Sequence, residues 1–334
     1  MIADLRLRRA APAPLRSAPA SSALTLSPAA PIVGIDVGER ALDLAIAAAG
    51  RIRLATLPLA GLEHCAGGAI AGLTSRLRDA APELDAADAI ALIDSPEAPR
   101  ESVRARAGAP HPNGSRCIDR RLAAIVRRIK SARANPAPWL GLWLFPTPPR
   151  AWFVRCVRAS DCPPHLAAFG RELFPNALGR PRHASDGPRG GQVFTRFMLA
   201  GFALFRALTA TRATSFESYP DLVFRLWHNG AGFTPKRAGR RGALAARRAI
   251  IARLAPRHGL EIAAPDTLDH ADAAILAICA AAARAAGAFV IIAEPGEGRF
   301  ALPLDRDDHA AIGPDIVSAK SSMVDARLFP FKSG

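Results

Sequence analysis

Short apolar runs and the turn residues between them predict three strands near the start of the chain. Ile32–Val37 has β-branched residues at neighbouring positions, which favours a strand covered on both faces, and Gly38 suits the turn that follows. Ala41–Ala48 and residues 51–57 have the pattern of two further strands, joined by a tight connection at Gly50. The three runs therefore predict an antiparallel meander.

The pattern after the meander predicts an α/β domain. Apolar residues recur at helical spacing over residues 61–78, and the apolar run 89–94 ends at Pro96, which cannot continue a strand. Three strands, a helix and a fourth strand form an α/β unit. Further elements are predicted as helices over 116–133, 194–209, 221–227 and 243–254, a strand over 214–219, a helix of about twenty residues from Pro265 and a hairpin over 288–303.

Composition separates this domain from less regular segments. Residues 1–30 are rich in Ala, Pro, Ser and Arg, and we expect a disordered leader. A transit peptide or a twin-arginine signal is the alternative, although no apolar stretch follows Arg8 and Arg9. Residues 31–303 are expected to form one domain, with 135–191 as an irregular insertion, and residues 304–334 as a C-terminal tail.

The cysteines and the apolar runs exclude several classes of protein. Five cysteines occur without a Cys-x-x-Cys pair, which argues against a disulfide framework and a structural zinc site. The apolar run between Arg196 and Arg206 is too short to cross a membrane, so no membrane partner is expected. We therefore expect a protein of a reducing compartment, the cytoplasm.

The net charge of +15 is concentrated in two segments. Residues 100–133 contain ten basic and two acidic residues, and residues 222–260 contain nine basic residues and no acidic one. Such segments indicate a surface for a polyanion such as nucleic acid, bordering the same cleft as the acids described below; two unrelated solvated helix faces are the alternative. The candidates for nucleic-acid contacts are Arg116, Arg120, Arg121, Lys236, Arg240 and Arg241.

Acidic residues at strand ends are the candidates for a metal-binding or catalytic site. Asp36 and Asp94 each end an apolar strand, and on neighbouring strands their like charges would favour a divalent cation between them; capping of the following turn is the alternative for each. Asp272 shares a helix face with apolar residues and should point inward, where a carboxylate needs a partner. Glu217 lies at a further strand, and Asp269 lies in the first turn of the Asp272 helix.

Several short motifs in this order resemble the domain of unknown function 429 family. They are Gly34-Ile35-Asp36, Ile93-Asp94-Ser95-Pro96, Arg116-Cys117-Ile118-Asp119-Arg120, Glu217-Ser218-Tyr219-Pro220, Asp269-x-x-Asp272-Ala273 and Glu297-Gly298. The similarity spans roughly residues 31–303 and leaves 139–191 unaligned. Where many members have Asp-Ile-Pro, this chain has Asp-Ser-Pro at residues 94–96.

The resemblance implies a fold and an activity. It implies a ribonuclease H-like fold, in which a mixed sheet of the meander and parallel strands is flanked by helices, and a predicted nuclease activity. It also implies that Asp36, Asp94 and Asp272 are catalytic and hold Mg²⁺ or Mn²⁺, with Glu217 and Asp269 in support. Two such ions about 4 Å apart can activate a water and stabilise the leaving oxygen of a phosphodiester.

The sequence is also compatible with two other functions. The first is a protein of the same fold that binds nucleic acid or another partner through its arginines and has no catalytic activity. The second is an actin-like or sugar-kinase-like phosphotransferase, because Gly34-Ile35-Asp36-Val37-Gly38 is similar to a phosphate-binding turn. That superfamily needs a second Asp/Gly phosphate turn, which the sequence does not contain.

Overall fold

The structure, a computed structural model, describes residues 30–99, 118–134, 136, 162–175, 192–228, 239–294 and 298–312. The proposed leader over residues 1–30, apart from residue 30, and most of the proposed tail over residues 304–334 lie outside this part. The strands are β1 Ile32–Val37, β2 Ala41–Ala48, β3 Arg51–Pro58, β4 Ile90–Asp94, β5 Thr214–Glu217, β6 Glu261–Ile262, β7 Phe289–Glu294 and β8 Gly298–Pro303. The helices are α1 Ala69–Ala80, α2 Ile118–Ala132, α3 Pro164–Leu173, α4 Gln192–Leu208, α5 Pro220–Trp227, α6 Arg240–Arg257, α7 Leu268–Ala286 and α8 Arg306–Ile312.

The eight strands of the described residues form one mixed sheet in the order β6-β3-β2-β1-β4-β5-β8-β7. β1, β2 and β3 are an antiparallel meander, β4 lies parallel to β1, and β5 lies parallel to β4. The hairpin of β7 and β8 completes one edge, and the short β6 pairs with β3 at the other. The prediction of a mixed α/β sheet that begins with a meander is confirmed, and this order is consistent with a ribonuclease H-like fold.

Helices cover both faces of this sheet. Alternation along β1 sends Val33 and Ile35 into a core formed with α1, α3 and α4, which we call the first face. Ile32 on the same strand points into a second core, formed with α6 and α7, which we call the second face. None of the helices in the described part of the chain combines the length and apolar character that a membrane-spanning helix requires.

Two helices lie in segments whose sequence shows no helical periodicity of apolar residues. The proposed insertion contains α3, whose residues 165–170 are all buried against the first face, and the proposed tail contains α8, whose last residue Ile312 is buried. Each helix is short, and α3 has buried residues around its whole circumference, so no polar stripe marks a helical period. Residues 162–175 are therefore part of the domain core, which corrects the expectation of an irregular segment there.

Candidate metal centre

The pairing of β1 with β4 brings two aspartates side by side. Asp36 is the register partner of Asp94, and in a parallel pair directly adjacent residues point to the same side of the sheet. Both occupy positions that alternate with residues of the first face, so they point to the second face, beneath α7. The prediction that Asp94 lies on a strand beside Asp36 is confirmed.

Helix α7 supplies the third aspartate because it lies very close to β1. An added Cβ at Gly34 would overlap the carbonyl oxygen of Ala273, so only a glycine allows this approach. The helix begins at a defined residue, since the side chain of Thr267 accepts a hydrogen bond of 2.9 Å from the backbone N–H of His270. Cap and close approach together fix Asp272, which is 1% exposed, against the sheet.

Three carboxylates converge at this point of the second face. One oxygen from each of Asp36, Asp94 and Asp272 lies within 4.8 Å of the other two, an arrangement that could hold a metal ion. Carboxylate oxygens are the ligands that Mg²⁺ and Mn²⁺ prefer, and burial of two of the three residues strengthens their attraction for a cation. The donor set therefore fits a small divalent ion.

A buried arginine lies against these acids, which the sequence analysis did not anticipate. Arg247 of α6 is 0% exposed and forms an ion pair with Asp272. Burial lowers the pKa of its guanidinium, and the charges of Asp221, Asp36, Asp94 and Asp269 oppose this lowering. The acids therefore have an internal counter-ion from α6, the helix that precedes α7 in the chain.

A signal for Arg247 was present in the sequence. The apolar residues Ala243, Ile250, Ile251 and Leu254 recur around it at helical spacing, and all four are buried in the structure. An arginine on an apolar face of a helix needs a buried anionic partner, by the same argument that predicted an inward position for Asp272.

Asp269 and Glu217, the two predicted supporting acids, are placed differently. Asp269 is partly buried in the first turn of α7, three residues before Asp272, and its charge acts on Arg247. Glu217 is the register partner of Ile93, so it points to the first face, away from Asp94. The structure brings Asp269 to the neighbourhood of the three carboxylates and does not bring Glu217 there.

A polar cluster that the sequence analysis missed adjoins Asp36. Asp43 of β2 is the register partner of Asp36 and therefore points to the second face as well. The hydroxyl of Thr56 donates a 2.6 Å hydrogen bond to Asp43, and Nε2 of His270 lies 3.1 Å from the same carboxylate. The signal was the Leu-Asp-Leu alternation of residues 42–44, which places an acid on one face of a strand.

The candidates for nucleic-acid contacts are distributed over two sides of the molecule. Arg120, Arg240 and Arg241 are exposed and Arg121 is partly buried, whereas Arg116 and Lys236 lie outside the described residues. Helix α2 shares a core with Phe300 of β8, whereas the neighbouring residue Ala301 lies in the core formed with α6 and α7. Since neighbouring strand residues point to opposite faces, α2 and α6 do not border one cleft on a shared face.

Comparison with known proteins supports the family resemblance. Residues 188–297 match the model of a family described as Protein of unknown function (DUF429), and the resemblance to that family is confirmed over this segment. The match includes Asp269 and Asp272 and begins after the strands that carry Asp36 and Asp94. No curated protein and no solved structure matches the chain. The family description states no activity.

Proposed function

We propose that the protein is a metal-dependent nuclease of the cytoplasm, in which Asp36, Asp94 and Asp272 hold Mg²⁺ or Mn²⁺. The observation that carries this proposal is the convergence of the three carboxylates within 4.8 Å on one face of the sheet. When bound, such an ion activates a water and stabilises negative charge on the phosphate of a phosphodiester. Nucleic acid is the natural polyanionic substrate for a chain of net charge +15.

In this proposal the aspartates hold the metal ion, and exposed arginines attract the substrate. Asp36 and Asp272 are 6% and 1% exposed, so the sheet and α7 hold their carboxylates in place before any ligand arrives. Asp94 is more accessible than the other two, and in this proposal substrate would approach the site from its side. The exposed Arg240 and Arg241, at the start of α6, would attract the phosphate backbone without reading its sequence.

The test is cleavage of a panel of fluorescent oligonucleotides, namely single-stranded and double-stranded DNA and RNA, with Mg²⁺, Mn²⁺ or a chelator. We expect cleavage that depends on the metal and is lost in Asp36→Asn. Asp266→Asn is the matched control, since Asp266 is an exposed aspartate that precedes the same helix α7. Cleavage that persists in Asp36→Asn would assign it to a contaminating nuclease and would contradict the proposal.

The ion pair between Arg247 and Asp272 favours a second candidate, a nucleic-acid-binding protein without catalytic activity. In that case the guanidinium alone neutralises part of the acidic group and the fold needs no metal. Binding of oligonucleotides should then be salt-sensitive, equal with Mg²⁺ and with chelator, and unaccompanied by cleavage. Fluorescence anisotropy over a range of salt concentrations, read together with the cleavage assay, separates the two candidates.

A further inference from the structure

We infer that Arg247 takes the place of a second divalent cation, so that the carboxylates of Asp36, Asp94 and Asp272 bind one metal ion and one guanidinium. This inference rests on the metal site proposed above. It differs from the two-ion arrangement that the family resemblance implied, and it assigns a positioning role to a residue outside the three carboxylates.

The guanidinium of Arg247 is held from several directions. It pairs with Asp272, its Nη2 lies 3.4 Å from Oδ1 of Asp221, and its Cζ lies 4.8 Å from the centre of the Phe224 ring. Asp221 and Phe224 both belong to α5, whereas Arg247 belongs to α6 and Asp272 to α7. Three helices therefore fix one buried cation, and it is part of the packed core rather than a mobile surface side chain.

The charges balance with one divalent ion. The three aspartates contribute three negative charges, which one guanidinium and one divalent ion would neutralise. The neighbouring Asp43 has its own partners, because it accepts a hydrogen bond from Thr56 and lies 3.1 Å from Nε2 of His270.

Asp221 lies between two guanidinium groups, because it pairs with Arg225 at 2.8 Å as well as with Arg247. A second divalent ion would lie beside a buried positive charge, and like charges repel strongly where water does not screen them. Asp269 supplies at most one more negative charge, one helical turn away.

The contact with Asp272 also limits the number of ligand atoms. The oxygen of Asp272 that forms the ion pair with the guanidinium is less available for a bridging metal contact. Two-ion sites depend on carboxylates that bridge both ions, with the ions about 4 Å apart. Arg247 therefore opposes a second ion both by its charge and by occupying a carboxylate that would have to bridge.

The experiment counts Mn²⁺ on the full-length protein by equilibrium dialysis and electron paramagnetic resonance, which detects exchange coupling between two neighbouring Mn²⁺ ions. Wild type should bind one Mn²⁺ at this site with an uncoupled spectrum. Arg247→Met removes the charge and keeps an unbranched apolar stem, so it should bind two Mn²⁺ with a coupled spectrum. Arg248→Met, its half-exposed neighbour on α6, is the control and should bind one.

The inference is overturned if wild type binds two coupled Mn²⁺ ions, if wild type binds none, or if Arg247→Met still binds one. Circular dichroism establishes whether Arg247→Met folds. If it does not, Arg247→Lys keeps the charge and should keep a single uncoupled Mn²⁺, whereas two coupled ions in that variant would also overturn the inference. A single Mn²⁺ without nucleic-acid cleavage would refute the proposed nuclease activity and leave the assignment of Arg247 intact.

Discussion

Gly34 in the middle of β1 lies directly against the backbone of Ala273 in α7. An added Cβ at Gly34 would overlap the carbonyl oxygen of Ala273 and would also lie 3.0 Å from the backbone nitrogen of Ala277. Both obstacles are helix backbone, which cannot rotate away as a side chain can. The separation between β1 and α7, and with it the position of Asp272 relative to Asp36, therefore depends on this glycine.

Gly34→Ala should displace α7 from the sheet and destabilise the protein by about 1–3 kcal/mol, the usual cost of overpacking a core. The same displacement should weaken any Mn²⁺-induced rise in melting temperature, because it separates Asp272 from the other two carboxylates. Urea unfolding and thermal melts with and without Mn²⁺ measure both effects. Gly67→Ala is the control, since its added Cβ would make only an ordinary contact of 3.4 Å with Ala71.

Thr267→Ala should destabilise the protein by about 1 kcal/mol, because it removes the acceptor of the N–H of His270 at the start of α7. Thr267→Ser keeps a hydroxyl at this position and should restore most of the loss. Urea unfolding of the three proteins provides the comparison. Equal stability of wild type and Thr267→Ala would mean that water replaces the cap at no cost.

The strands of the central sheet could be predicted because apolar residues at neighbouring positions mark them. β1 and β4 are buried along almost their whole length, and their sequences show this directly. β6 could not be predicted, since it has two residues and forms only by pairing with the edge of β3. α3 was also missed, because a short helix that is buried all round has no amphipathic period.

At the site, only the residues that carry a local sequence signal could be predicted. Asp36, Asp94 and Asp272 each carry a local signal, a strand end or an apolar helix face, and the structure brings them together. Arg247 reaches Asp272 through the packing of α6 against α7, which no local pattern specifies. The position of Glu217 depends on strand register, where a shift of one residue exchanges the two faces.

Asp308 should give the stability a measurable pH dependence. It is 4% exposed and paired with Arg133 at 2.5 Å, yet loss of solvation raises its pKa above the ordinary value of 3.8 by more than Arg133 lowers it. The folded protein therefore binds this proton more tightly than the unfolded chain. The stabilising contribution is complete below the unfolded pKa and is lost as pH rises through the folded pKa.

Asp308→Asn cannot titrate, so the free energy of unfolding of wild type should fall relative to this variant as pH rises above the ordinary pKa of 3.8. Urea unfolding at several pH values measures the difference. Asp79→Asn, at an exposed position of α1, should give a profile parallel to wild type. A wild-type profile that rises relative to Asp308→Asn would mean that the attraction of Arg133 exceeds the cost of burial.

Asp36→Asn should abolish the rise in melting temperature that Mg²⁺ or Mn²⁺ produces in wild type. A ligand that binds only the folded state stabilises it by mass action, roughly 2.7 kcal/mol at a hundred times its dissociation constant, and an amide is a much weaker ligand than a carboxylate. Differential scanning calorimetry with metal and with chelator measures the shift.

Without metal, Asp36→Asn should change the melting temperature little or raise it. The variant loses one charge that repels Asp94 and Asp272, and it also loses one charge that attracts Arg247, so the two effects oppose each other. The exposed Asp266→Asn should keep the full metal-induced shift. If Asp36→Asn instead unfolds readily in chelator while wild type gains nothing from metal, Asp36 is a structural residue that anchors Arg247, and the carboxylates are not a metal site.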